Sequence, residues 1–194
     1  MTSRVTFISH GATAAVRAAS FPLDEGLESG EGSRIAGLGW NGPRAQDVLM
    51  GPEVRVRMTA EGLGLTGVVD GGLRDFDYGD WRGLGLGEVE GRDPEGLMGW
   101  LTDVEARPHG GESVAGVIER TARWMEGRTA AGHTVAMTCP GVIKSAVVLA
   151  MGAPAAAFWR VDVAPLSLTD LRWNGRVWTV RCVSCAINSA AVLL

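Results

Sequence analysis

Two short apolar runs in this chain stop abruptly, each at a turn that carries a reactive side chain. Residues 4–8 (RVTFI) break at Ser9-His10-Gly11, and residues 133–138 (HTVAMT) break at Cys139-Pro140-Gly141. Runs of this length, rich in β-branched residues and bounded by turn formers, are expected to be strands. Helix-forming sequence follows each break, alanine-rich at 12–19 and apolar at 142–151. Strands alternating with helices imply a layered α/β fold. In open α/β sheets ligands sit beyond the carboxyl ends of the strands. The two strand ends therefore make His10 and Cys139 the first candidates for chemistry, and Gly11 would let a ligand approach the backbone.

The remaining segments fill in the alternation. Residues 22–43 are crowded with Gly, Ser, Pro and Glu and read as loop, and 45–50 reads as a short helix. Residues 54–63 (VRVRMTAEGL) leave strand and helix open, 67–70 reads as a short strand, and 75–83 as an aromatic loop. Asp93 before Pro94, with Glu95 in the first turn, marks a helix start over 93–102. Residues 112–129 have helical spacing at 114, 117, 118, 121, 122 and 125. Ser113 is placed to cap that helix. Two late strands, 166–173 and 176–183, flank Asn174-Gly175, the strongest short hairpin signal.

Composition removes several classes. A chain of 194 residues suits one domain spanning 1–194. The net charge is −4, with the charges scattered, so no basic stripe points to nucleic acid. The longest apolar stretch, 145–159, is interrupted by Gly152 and Pro154 and falls short of the ~20 residues a membrane span needs. No signal peptide is legible, and a soluble cytoplasmic protein is expected. The three cysteines are too few for a disulfide framework. Cys182-x-x-Cys185 alone is a weak metal signal, so those residues are expected to pack in or beside the last strand, with no metal site. No task is legible for His109 or His133.

Six segments, SHGAT, PEVRVRMTAE, LRDFDYGDWRGL, RDPEGLMGWL, PHGGES and TCPGVIKSAVVLAMG, occur in this order. Together they resemble the histidine phosphatase superfamily, in the branch of phosphoglycerate mutase and the small bacterial phosphatases. The resemblance covers roughly residues 4–180. It implies a three-layer sandwich, a mostly parallel sheet with helices on both faces. It also implies a nucleophilic histidine that becomes phosphohistidine, splitting one displacement into two. His10 holds that position. Arg55 matches the family's phosphate-binding arginine, whose fork suits two phosphate oxygens. Asp75 matches the general acid, with Asp77 as the alternative or simply a loop cap. Ser9, Gly11, Thr13 and Cys139 fall at positions expected to bind phosphate.

The same resemblance exposes departures. The family's R-H-G is Ser9-His10-Gly11, its second site histidine is Cys139, and its asparagine six residues past the nucleophile is Val16. Preorganised donors are worth about 10²–10³ in rate each, so these losses bear directly on turnover. Arg17 is a candidate to reach inward in compensation. Cys139 precedes a helix N-terminus, a position that lowers a thiol pKa, although only the neutral thiol suits a phosphate ligand. A C-x₅-R nucleophile is excluded because Ser145 stands where the arginine is needed. The resemblance thus implies an atypical phosphatase of a small phosphomonoester, α-ribazole phosphate of cobalamin synthesis among the substrates. It would work without cofactor, and a homodimer is allowed. The alternative is a phosphatase-fold pseudoenzyme that binds a phosphorylated ligand or a protein partner without turnover.

Overall fold

A computed structural model describes residues 2–188; Met1 and residues 189–194 of the expected 1–194 range lie outside the described residues. The centre is a six-stranded mixed sheet. Its strands are β1 (Ser3–Ser9), β2 (Asp47–Met50), β3 (Val68–Val69), β4 (His133–Thr138), β5 (Ser167–Trp173) and β6 (Trp178–Ala186), in the spatial order β3-β2-β4-β1-β5-β6. Strands β1, β4, β2 and β3 pair in parallel, while β5 runs antiparallel to β1 and β6 antiparallel to β5.

Side-chain alternation divides the core between the two faces. Ile8, Val135, Met137, Met50 and Leu168 pack under α2 (Glu31–Ala36) and α3 (Val54–Gly62), against Ile35, Val56 and Ala60. Val5, Phe7, Ala136 and Leu171 face the other way. They pack against α6 (Val114–Glu126) and α7 (Pro140–Met151) through Trp124, Met125, Val142, Ile143 and Ala146. This is the three-layer α/β sandwich. A third apolar cluster, rich in aromatic rings, joins Phe21, Phe76, Trp81 and Trp100 to Val114 and Phe158. It supports α4 (Leu86–Arg92), α5 (Pro94–Thr102) and the 75–83 segment.

Several local expectations are met by their caps. Asp93 accepts from Gly96 N at 2.9 Å and Ser113 from Gly116 N at 3.1 Å, each closing a helix N-terminus. Residues 54–63 resolve as helix, and the Asn174-Gly175 hairpin forms between β5 and β6. Two expectations are overturned. Residues 45–50 form not a helix but the strand β2, which pairs with Thr134–Met137 of β4. The 22–43 segment contains α2, which buries only Glu31 and Ile35. Helix α4 and the 3₁₀ turn over Ala155–Arg160 carried no signal strong enough to read in advance. Among the described residues no helix is long and apolar enough to cross a membrane.

Candidate active site

Because β1, β4 and β2 are parallel neighbours, their carboxyl ends lie side by side. His10 follows β1 and Cys139 follows β4, and their segments are joined by His10 N donating to Thr138 O at 3.3 Å. The turn after β2 delivers α3, whose first turn carries Arg55. A cavity of about 170 Å³ at this edge is lined by His10, Thr13, Arg55, Asp75, Tyr78 and Pro140, among others. It adjoins an outer pocket of about 340 Å³ through the shared Pro22, Arg55 and Asp75.

His10 is almost fully buried and its ring is fixed from behind. Nδ1 lies 2.7 Å from the Gly11 carbonyl oxygen, which only accepts, so Nδ1 carries the proton and Nε2 keeps its lone pair. Burial lowers the His10 pKa below the ordinary 6.5; the Gly11 bond works against this and the Arg55 charge adds to it. The ring is therefore a neutral imidazole, the form a nucleophile needs. Gly11 has its own anchor. Its N–H donates to Thr59 Oγ1 at 2.9 Å, and Thr59 in turn donates to the Arg55 carbonyl at 2.7 Å. Glu31 Oε1 accepts from Ala12 N at 3.1 Å. Thr13, fully buried, caps α1 (Ala14–Arg17), its hydroxyl accepting from Val16 N.

Arg55 is 2% exposed and aims its guanidinium between a carboxylate and a carbonyl. Nη2 donates to Asp75 Oδ2, Nη1 donates to Leu23 O at 2.9 Å, and Nε has no partner. Burial opposes the charge and the neighbouring Asp75 and Glu25 favour it; the Arg55 pKa stands above arginine's ordinary value. Asp75 is pinned on every side. Its N–H donates to Glu53 Oε1 at 2.6 Å, its Oδ1 accepts from Phe76 N at 2.7 Å, and its carbonyl accepts from Arg120 Nη2 at 2.8 Å. Burial raises the Glu53 pKa, with the Asp75 N–H bond opposing. Asp77 Oδ1 accepts from Gly79 N at 3.0 Å, the loop-cap role open to it.

The positions that depart from the family pattern behave differently. The Ser9 hydroxyl is fully buried, has no hydrogen-bond partner, and does not line the cavity. Cys139 is fully buried with its thiol against the Arg55 guanidinium. The expected lowering of its pKa is corrected. Burial, reinforced by Asp75, pushes the thiol well above its usual value and outweighs the helix N-terminus, so the group is a neutral thiol. Arg17 does not turn inward. Its side chain is 77% exposed and pairs with Glu28.

Several residues of the site escaped the sequence. Tyr78, the chain's one tyrosine, lines the cavity, and burial raises its hydroxyl pKa. Glu25 is close enough to bias both His10 and Arg55, and its Oε1 is buried without a partner. Arg120, buried, pairs behind Asp75 with Glu112, half-buried and offered by the sequence only as part of PHGGES; Arg120 Nε donates to Glu112 Oε1 at 2.8 Å. Arg120 alone carried a signal that could have found it, as a charged residue between the apolar-face positions 117 and 121 of a helix.

Residues 36–186 match the histidine phosphatase superfamily, branch 1, and the chain belongs to that family. Over 124 residues it is 35% identical to a bifunctional protein of Mycobacterium tuberculosis, covering 60% of this chain and 33% of that protein. A glucosyl-3-phosphoglycerate phosphatase of Mycolicibacterium vanbaalenii is 26% identical over 137 residues, covering 57% of this chain and 61% of the other. The chain thus spans about a third of the M. tuberculosis relative and under two thirds of the other. Among solved structures, a putative α-ribazole-5′-phosphate phosphatase from Escherichia coli superposes with a TM-score of 0.81 at 20% identity, covering 95% of this chain and 98% of that one. A mycobacterial glucosyl-3-phosphoglycerate phosphatase gives 0.79 at 20% identity, covering 96% and 100%. These likenesses establish the phosphoglycerate mutase-like fold.

Proposed function

We propose that the chain hydrolyses a small phosphomonoester through a phosphohistidine on His10. The observation that carries this is the His10–Gly11 bond, which leaves Nε2 unprotonated in a cavity shared with Arg55 and Asp75. In the first step Nε2 attacks phosphorus, the ester P–O bond breaks, and Asp75 gives a proton to the leaving oxygen. In the second step water attacks the phosphohistidine, Asp75 takes its proton, and phosphate departs with His10 restored. Arg55 stabilises charge on the equatorial oxygens. An incoming phosphate competes with Asp75 for Arg55 Nη2. Winning it frees Asp75 Oδ2 to act on the leaving oxygen.

The outer pocket, which includes Arg74 and Arg82, is where the leaving group would lie. Phosphatases of α-ribazole phosphate and of glucosyl-3-phosphoglycerate share the fold, so both compounds are substrates to test. In this proposal Thr13 borders the phosphoryl group, Ser9, Gly11 and Cys139 stand back from the cavity lining, and no metal, cofactor or nucleic acid takes part. The protein is cytoplasmic, and a homodimer is compatible with it.

One observation favours binding without turnover. The Arg55 fork is already filled by Asp75 and the Leu23 carbonyl, and Glu25, Glu53 and Asp75 surround this single cation. A phosphodonor panel on wild type and His10→Ala separates the two. Acid-labile, base-stable phosphate on wild type but not on His10→Ala, with release of inorganic phosphate, supports the enzyme. Saturable binding of phosphate with neither labelling nor release supports the binder.

A further inference from the structure

The last strand carries two cysteines that the hydrolytic chemistry does not use. In a regular strand Cys182 and Cys185, three residues apart, would point to opposite faces with Cα atoms about 10 Å apart. That exceeds the ~7 Å limit for a disulfide. The structure removes both obstacles. Register against β5 runs Trp173–Trp178, Arg172–Thr179 and Leu171–Val180, then jumps to Asp170–Cys182 and Leu168–Cys185. Two irregularities thus insert extra residues into β6. Leu168 and Asp170 lie two residues apart on one face of β5, so their partners Cys182 and Cys185 share that face. Two strand steps span only about 6.6 Å.

The bulge is a built feature. Ser184 holds a left-handed backbone, with φ 52°. Its N–H donates to Thr169 Oγ1 at 3.2 Å, and its Oγ accepts from Ala164 N at 2.8 Å and lies 3.3 Å from Ser167 Oγ. Cys182 Sγ lies 3.9 Å from the Leu168 carbonyl oxygen and Cys185 Sγ 3.8 Å from the Val183 carbonyl oxygen. Both border the apolar cluster that contains Leu168 and Ile187. Both are half-buried on an edge strand, open to a small reagent, whereas Cys139 is sealed in the interior.

We propose that Cys182 and Cys185 form a reversible dithiol–disulfide site on the edge of the sheet, oxidised by small-molecule disulfides. The thiolate of Cys185 attacks one sulfur of the reagent, forming a mixed disulfide and releasing one thiolate of the reagent. Cys182 then loses its proton and attacks the Cys185 sulfur, expelling the second reagent thiolate. Two protein thiols and one small disulfide become one protein disulfide and two small thiols. Burial, with the neighbouring thiol second, pushes the Cys182 thiol up to about 12. Cys182 is therefore the poorer first nucleophile and is assigned the closing step.

The test is incubation of the folded wild type with oxidised glutathione, followed by alkylation of free thiols and mass spectrometry. The expected product has lost two of its three thiols, retains no glutathione, and yields a peptide with Cys182 linked to Cys185. Cys182→Ser should instead stop at a stable glutathione adduct on Cys185. The wild-type measurement needs no variant to fold. A lasting glutathione adduct on the wild type, disulfide-linked dimers, or three free thiols after exposure would each overturn the proposal.

Discussion

One bond and one wall decide what His10 is. The Gly11 carbonyl fixes the tautomer, and burial keeps the ring neutral. If His10 is the nucleophile, the acidic limb of the kcat/KM profile, where protonation of the ring removes activity, lies below pH 6.5, because the folded ring resists protonation. Arg55→Met removes a neighbouring charge that depresses the ring, so it should move that limb upward as well as weaken phosphate binding. A limb that stays in place would remove Arg55 from the electrostatics of His10. Restoration is the sharper test. Ser9→Arg with Cys139→His returns the two missing donors and should raise turnover, at a cost of about 1–3 kcal/mol for enlarging buried side chains. The pair is made together because neighbours in one site need not add. Turnover that collapses in the restored protein would mean that Ser9 and Cys139 serve a chemistry other than plain phosphomonoester hydrolysis. At this scale His10 was marked by the strand end it follows, whereas Arg55 and Asp75 were singled out by the family resemblance alone. Glu25 was not, since a carboxylate in a loop rich in Gly, Ser and Glu has no periodicity to mark it as inward.

At the scale of elements, the 75–83 segment is held by its neighbours as well as by its own turn hydrogen bonds. Arg120 of α6 donates to the carbonyls of Asp75 and Gly72, and Glu112 accepts from Arg74, Arg120 and Asp77 N. Arg120 is thus a positioning residue. Arg120→Gln should lower kcat by up to about 100-fold, the size of effect a 1 Å misplacement produces, while phosphate affinity at Arg55 changes little. Equal losses in both would point to general unfolding of the edge. Ser113 starts the same helix, and Ser113→Ala should cost about 1 kcal/mol in a urea titration. Elements with a cap or a long period were readable, as α5 and α6 show. β2 was not, because four residues are too few to separate strand from helix by spacing. The tertiary choice there is made by β4, which offers a parallel partner from Thr134 to Met137. Helix α2 was hidden by its internal Gly32, a glycine at each cap and a single buried apolar residue, Ile35. Its order comes from Glu31, which pairs with Arg34 and reaches Ala12 N.

For the whole molecule, the burial that keeps His10 neutral also sets how the fold meets acid. All three histidines of the chain have pKa values lowered below 6.5, in each case first by burial. His109 sits 4.9 Å from the Trp81 ring, with Nε2 unpartnered and Nδ1 accepting from Gly111 N. His133 is bonded to Thr6 and to the Arg44 carbonyl. In the unfolded chain each would take up a proton near pH 6.5, whereas the folded chain delays uptake to lower pH. The unfolded state therefore binds more protons in that window, and stability rises with pH there. It is fully present above about pH 6.5 and is lost as pH falls through the window toward the folded values. Glu28 and Glu31, lowered mainly by their arginine partners, extend the loss below their ordinary 4.5. Glu53, raised by burial, works the other way above 4.5, but as one group against three histidines. Urea midpoints at constant ionic strength should accordingly fall between pH 7.5 and 5.5. His109→Asn keeps an acceptor for Gly111 N but leaves a gap among the rings. It should lower the midpoint at every pH while flattening the slope by one histidine's share. A midpoint that stays level or rises toward pH 5.5 in wild type would mean that the histidines are hydrated in the folded protein. His10 would then lose the enforced neutrality on which the proposed attack on phosphorus depends.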